Sequence, residues 1–243
     1  MNLTAIFLIA LSLLAATPES FAADVTADAT SAVGDRKLAP LDAPLAQAVG
    51  KIYFQKKVFC TATILSHATL ITARHSFPYR NIDLTSAEDR AQIYLEFPHT
   101  KTGAALRISA EQISEITMDS GDNDIAYIKY AANLTEKNIR LQKMRLDLGF
   151  APPAVARKVE TMGYPVPSDQ DAHTNIVQVI SENCQITAHM GRIPPTPDGI
   201  GFHGILQAMA CPAWFGNSGG PVYQITRQGN ESVVLLLGVL THS

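Results

Sequence analysis

The sequence predicts an all-β protein, a sandwich or barrel, made of two units. Three observations predict it. Short β-rich runs recur along the chain, with turns of the 15 Gly and 14 Pro between them. Several runs alternate apolar and polar residues, as half-buried strands do. A Pro152-Pro153 pair divides the chain near its middle. The first strands are Lys51 to Phe54 and Val58 to Leu65. A tight break at Ser66-His67-Ala68 separates the second from Thr69 to Ala73. Ala91 to Phe97 alternates cleanly, and Ile125 to Tyr130 less strictly. After the proline pair come Val155 to Met162, Asn175 to Ser181, Ile205 to Ala210, Pro221 to Ile225 and Ser232 to Leu240. We expect one β-unit over residues 45–148 and a second over 149–243.

Composition narrows the function classes. With 47% hydrophobic and 17% charged residues among 243, the chain has ordinary globular values and can bury a sizeable core. Lys and Arg number 19 against 22 acids, a net charge of -3. Nothing there drives binding to a phosphate backbone, so no nucleic-acid partner is expected. Three Cys are too few for a disulfide scaffold.

The start of the chain reads as an export signal. An apolar run from Ala5 to Ala16 is short for a membrane span, and Ser20-Phe21-Ala22-Ala23 supplies small residues for cleavage after Ala22 or Ala23. We assign residues 1–22 to a signal peptide and 23–44, rich in Ala, Asp, Thr, Ser and Pro, to a flexible leader or propeptide. The protein is then secreted or periplasmic, with no membrane partner after cleavage and an environment that permits a disulfide.

The most informative segment is Trp214-Phe215-Gly216-Asn217-Ser218-Gly219-Gly220-Pro221. Its glycines permit a tight turn that exposes a serine hydroxyl with amides nearby to donate to an oxyanion. Alone it also reads as a polar turn. A serine nucleophile needs a base. Of seven histidines, only His75 sits directly after an apolar strand, in Leu70-Ile71-Thr72-Ala73-Arg74-His75. A base needs an orienting carboxylate. Asp124 stands immediately before the strand Ile125 to Ile128, whereas Asp119 and Asp122 read as a solvated loop.

In this order, three motifs resemble the trypsin/chymotrypsin-like serine peptidases. Thr72-Ala73-Arg74-His75 is similar to that family's Thr-Ala-Ala-His motif. Asn123-Asp124-Ile125-Ala126 is similar to its Asp-Ile-Ala/Leu motif, and Gly216-Asn217-Ser218-Gly219-Gly220-Pro221 to its nucleophile motif. The resemblance runs from about Lys51 onward, and bacterial secreted trypsin-like and glutamyl-endopeptidase-like members look nearest. It implies two antiparallel six-stranded barrels of the chymotrypsin type, with His75 and Asp124 from the first and Ser218 from the second. It further implies a serine endopeptidase acting on polypeptide substrates without a metal or other cofactor. Ser218 would attack, His75 would carry the proton, Asp124 would orient His75, and the N–H groups of Gly216 and Ser218 would bind the oxyanion.

Rival chemistries fit less well. Gly216-x-Ser218-x-Gly220 also matches an α/β-hydrolase elbow, but that fold needs its acid and histidine after the serine, and the 25 residues that follow leave no room for β-α units. No His-Glu-x-x-His motif or paired Cys ligands suggest a metal hydrolase. A protease-chaperone of the Deg/Htr type would need a PDZ domain for which no residues remain.

Departures from the family pattern are specific. Asn217 stands where digestive trypsin-like enzymes have an Asp, so activation through an amino-terminal salt bridge is not expected. Cys60 occupies a family cysteine position, but Ser76 replaces its usual partner. Cys184 and Cys211 lie on predicted neighbouring strands, and glutamyl-endopeptidase-like relatives place a Cys seven residues before the serine, as Cys211 is here. We expect a Cys184–Cys211 disulfide with Cys60 buried and free, against the alternative of three reduced thiols. The resemblance lines the substrate pocket with Pro212, Ala213, Leu240, Thr241 and His242. No acid is among them, so a small or apolar P1 residue is expected instead of Lys or Arg. An end at Ser243 would leave the second barrel incomplete. That favours a competing reading, a weak or inactive peptidase-like protein that binds peptides or a protein partner, whereas the intact motifs favour the enzyme.

Overall fold

A computed structural model describes residues 36–40, 42–43, 45–118, 124–140, 144–146, 158–166, 176–191, 206–211 and 215–241. The signal-peptide assignment and most of the leader lie outside these residues. Among the described residues, no helix is long and apolar enough to cross a membrane.

The fold is mostly β, in two sheets. The strands are β1 (Arg36–Leu38), β2 (Val49–Phe54), β3 (Lys57–Ser66), β4 (Thr69–Ala73), β5 (Ile93–Phe97), β6 (Leu106–Ile108) and β7 (Ile113–Met118). They continue as β8 (Ile125–Tyr130), β9 (Met144–Leu146), β10 (Lys158–Gly163), β11 (Val179–Gly191), β12 (Leu206–Ala210), β13 (Pro221–Gln228) and β14 (Glu231–Val239). Short helices α1 (Ser76–Tyr79), α2 (Ala87–Ala91) and α3 (Asn133–Asn138) interrupt the first half. The first sheet runs β6-β5-β2-β3-β4-β8-β7. The second runs β1-β11-β10-β13-β14-β9, with β12 also on β11. Two sheets with few short helices agree with the two-barrel architecture expected.

Among the described residues each sheet has seven strands, where six were expected. β6, three residues long, adds to the edge of the first. β1 and β9 extend the second, β9 as a parallel partner of β14. Both cross the expected unit boundaries. Arg36–Leu38, read as flexible leader, pairs with Ser181 to Val179, and Met144–Leu146, read as the end of the first unit, joins the second sheet. Such three-residue strands have no periodicity of their own and are made by the edge they meet.

Two further differences have local causes. The alternating run at residue 91 begins as strand only at Ile93, because Ser86 caps α2 by accepting from Asp89 N at 3.3 Å and acids fill its first turn. β11 runs on past Ser181 through a bulge in which Asn183 adopts φ 59°, a left-handed conformation that Asn tolerates.

β3 explains how the sheets meet. Val58 to Ile64 are buried without alternation. Side chains of β3 join the core, and Cys60 and Thr61 reach across to Ser218 O, Gly216 O and Tyr164 N. The main apolar core is therefore shared: Ile52, Cys60, Ile64, Leu70 and Ile128 belong to the same cluster as Met162, Tyr164, Tyr223 and Leu236. Polar bonds pin the junction. Tyr164 OH donates to Val49 O at 3.2 Å, and Gln178 Nε2 donates to Ala46 O and Val49 O at 3.1 Å. A smaller cluster of Val159, Cys184 and Ile186 packs beside Cys211.

Candidate functional site

The site forms where β4, β8 and the turn before β13 converge. β4 and β8 pair antiparallel with Ala73 opposite Ile125. His75, just beyond the end of β4, therefore comes beside Asp124, just before the start of β8. Arg74 N donates to Asp124 O at 3.3 Å and closes the junction. His75 also begins the turn into α1, so its backbone is helical, with φ -59° and ψ -22°.

Asp124 is 9% exposed, and both of its carboxylate oxygens are occupied by His75. Oδ1 accepts from the His75 backbone N–H at 2.7 Å, and Oδ2 lies 2.5 Å from Nδ1. A carboxylate oxygen accepts, so the tautomer with its proton on Nδ1 satisfies this contact and leaves Nε2 as the acceptor. His75 Nε2 lies 3.1 Å from Ser218 Oγ. Three residues distant in sequence thus form one continuous chain of hydrogen bonds.

The Ser218 turn is held from both sheets. Thr61 N donates to Ser218 O at 2.8 Å, Gly219 N to Leu240 O at 2.8 Å, and Leu240 N to Gly220 O at 2.7 Å. Gly216 and Gly219 both have φ 85°. A Cβ at Gly216 would run into Tyr164 O, and one at Gly219 into Thr61 O and Thr72 Oγ1. Both conformation and space therefore require glycine.

A family model of the trypsin domain matches residues 42–243. The chain belongs to the trypsin family. No curated protein matches the sequence closely enough to count as a relative.

This trypsin-family chain has one disulfide and one free cysteine among its described residues. Cys184, on β11, and Cys211, just after β12, are joined in a disulfide with Cα atoms 4.8 Å apart. Cys60 is buried and free. Its Sγ lies 2.8 Å from Ser76 Oγ and 3.1 Å from Thr72 Oγ1, and it donates to Ser218 O at 2.8 Å. A hydrogen bond thus links Cys60 to Ser76, the residue that follows His75. Burial pushes the Cys60 thiol up to about 11, against the lowering effect of its hydroxyl neighbours. It is a neutral hydrogen-bond donor across the ordinary pH range.

Of the expected pocket residues, Leu240 is buried and paired through its backbone with the Ser218 turn, and Thr241 follows it. Pro212, Ala213 and His242 lie outside the described residues. Residues to which sequence reasoning gave no part in the site also shape it. Thr61, Thr72 and Cys60 surround the Ser218 backbone from β3 and β4, and Val166 N donates to Phe215 O at 2.6 Å. The signal for Thr61 was a threonine in the buried run of β3, and Thr72 stood in the string that ends at His75.

Proposed function

We propose that the protein is an exported serine endopeptidase that hydrolyses peptide bonds through His75, Asp124 and Ser218. The observation that carries this reading is the unbroken hydrogen-bond chain from Asp124 Oδ2 through His75 to Ser218 Oγ, at 2.5 and 3.1 Å. Ser218 Oγ attacks the scissile carbonyl carbon while its proton passes to His75 Nε2. Asp124 stabilises the imidazolium through the Nδ1–H bond. His75 returns the proton to the leaving amine as the C–N bond breaks, leaving Ser218 acylated. A water then repeats the sequence: His75 takes its proton, the hydroxyl oxygen bonds to the acyl carbon, and Ser218 leaves with the proton.

The N–H groups of Gly216 and Ser218 are assigned to the oxyanion. Their support is the pinning of the same peptide units from the other side. Phe215 O accepts from Val166 N at 2.6 Å, and Asn217 O accepts from Gly220 N at 2.9 Å. In a trans peptide the N–H points opposite to the C=O. Among the described residues neither N–H has a backbone acceptor of its own. Donors held this way cost no reorganisation when charge develops.

The substrate is a polypeptide with a small or apolar P1 residue, contacted on one side by Leu240 and Thr241. The experiment is hydrolysis of a panel of peptide p-nitroanilides by the wild type and by Ser218→Ala or His75→Ala. Either substitution is expected to lower kcat on the order of a million-fold. Near wild-type turnover by Ser218→Ala overturns the assignment.

A further inference from the structure

The mechanism above does not use the Thr61 hydroxyl. Thr61 is completely buried on β3 of the first sheet, but its side chain serves the second. Oγ1 donates to Gly216 O at 2.6 Å and accepts from Tyr164 N at 3.1 Å. The hydroxyl's single donor is therefore used on the residue that supplies one oxyanion amide. Thr61 O accepts from Thr72 Oγ1 at 2.7 Å, which ties it to β4 and so to the strand leading to His75.

Gly216 needs such a tether. Its φ of 85° is open to glycine, but glycine populates the opposite sign about as readily, so the chain does not enforce it locally. The direction of the Gly216 N–H depends on the two peptide units that flank the residue. Val166 N holds the preceding one through Phe215 O, and Thr61 Oγ1 holds the following one through Gly216 O. By also accepting from Tyr164 N, the same hydroxyl anchors the segment that carries Val166.

We infer that Thr61 is a positioning residue that locks the Gly216 peptide so that its N–H faces the developing oxyanion. The inference rests on the assignment of Gly216 and Ser218 as oxyanion donors. A buried threonine that merely satisfies itself on a nearby carbonyl would affect stability alone. A positioning residue would affect the transition state more than the bound substrate.

The test compares Thr61→Val, which keeps the shape and loses the hydroxyl, with Thr61→Ser, which keeps the hydroxyl. The readouts are kcat and KM on a peptide p-nitroanilide, and inhibition by the matching peptide aldehyde, whose adduct carries the oxyanion. Thr61→Val is expected to lose on the order of ten- to a hundredfold in kcat, less than or equal to the loss of a whole donor, with KM unchanged. Aldehyde affinity should fall by the same factor, and Thr61→Ser should restore both. If Thr61→Val does not fold, Thr61→Ala against Thr61→Ser carries the same comparison. Wild-type kcat in Thr61→Val, an equal loss in Thr61→Ser, or a kcat loss with unchanged aldehyde binding each overturns this role. Ser218→Ala in the same assay separates the two claims. If it retains turnover, or if the wild type has none, the parent assignment falls and this role with it. If Ser218→Ala is inactive while Thr61→Val is normal, only the role of Thr61 falls.

Discussion

Asp124 grips His75 at two points, accepting from its backbone N–H at 2.7 Å through Oδ1 while Oδ2 lies 2.5 Å from its ring Nδ1. The backbone bond fixes where the residue starts, and the ring bond fixes which way the imidazole turns. Asp124→Asn keeps the size but offers one N–H₂ group in place of an acceptor. If that group faces Nδ1, the ring must put its proton on Nε2 and loses its capacity as a base toward Ser218. We predict a fall in kcat on the order of ten-thousandfold near neutral pH, with little change in KM. A loss of tenfold or less in steady-state kinetics would mean that the carboxylate does not set the tautomer.

Cys60 links the site to alkaline stability. Its thiol is raised from an ordinary 9.0 to about 11 by burial. The folded protein keeps the proton where the unfolded chain loses it. The stabilisation is therefore fully present below about pH 9 and is lost as pH rises from about 9 to 11, to a total of roughly 2–3 kcal/mol. Tyr130, pushed up to about 12 by burial, adds a slope of the same sign at higher pH. Urea unfolding at stepped pH should therefore show a flatter decline between 9 and 11 in Cys60→Ala than in the wild type. Parallel curves would contradict the buried, neutral thiol.

The sequence made the three motif residues readable because each lies in a local string: a histidine ending an apolar strand, an acid beginning one, and a serine among glycines. β3, β4 and β8 were equally readable from their own apolar runs. What escaped depends on partners far along the chain. Arg36–Leu38 has no strand signal of its own and is a strand because β11 offers an edge. β11 continues past Glu182-Asn183 because two neighbours and a disulfide hold it across a break that its residues alone suggest. Thr61 looks like one polar residue in a buried run until Gly216 O and Tyr164 N are seen on its hydroxyl.

The β1 pairing predicts where trimming begins to harm. A protein lacking residues 1–35 keeps Arg36–Leu38 on Ser181 to Val179 and the Ala39 N bond to Gln178 O at 3.0 Å. One lacking 1–44 loses them. We expect the longer truncation to be less stable by about 1–2 kcal/mol, or roughly 2–8 °C in Tm. Equal melting temperatures for the two would show that β1 contributes nothing to the fold.

The Cys184–Cys211 disulfide closes a loop of sequence separation 27 beside the small Val159, Cys184 and Ile186 cluster. On chain-entropy grounds, replacing both cysteines by serine should cost about 3–4 kcal/mol. Because the smaller cluster lies apart from the core that both sheets share, the residual activity of folded protein should fall far less than its stability. Denaturant unfolding alongside kcat measures both. A double-serine variant that is as stable as the wild type, or that is folded but inactive, would go against this division.

Reaction with a fluorophosphonate tests the central claim most directly, because phosphonylation requires a hydroxyl whose proton a neighbouring base removes. Intact-mass and peptide mapping of the wild type should show one adduct, on Ser218, and His75→Ala should slow its formation by several orders of magnitude while remaining folded. An unlabelled wild type, an adduct elsewhere, or equal labelling of His75→Ala would contradict a functioning relay from Asp124 through His75 to Ser218.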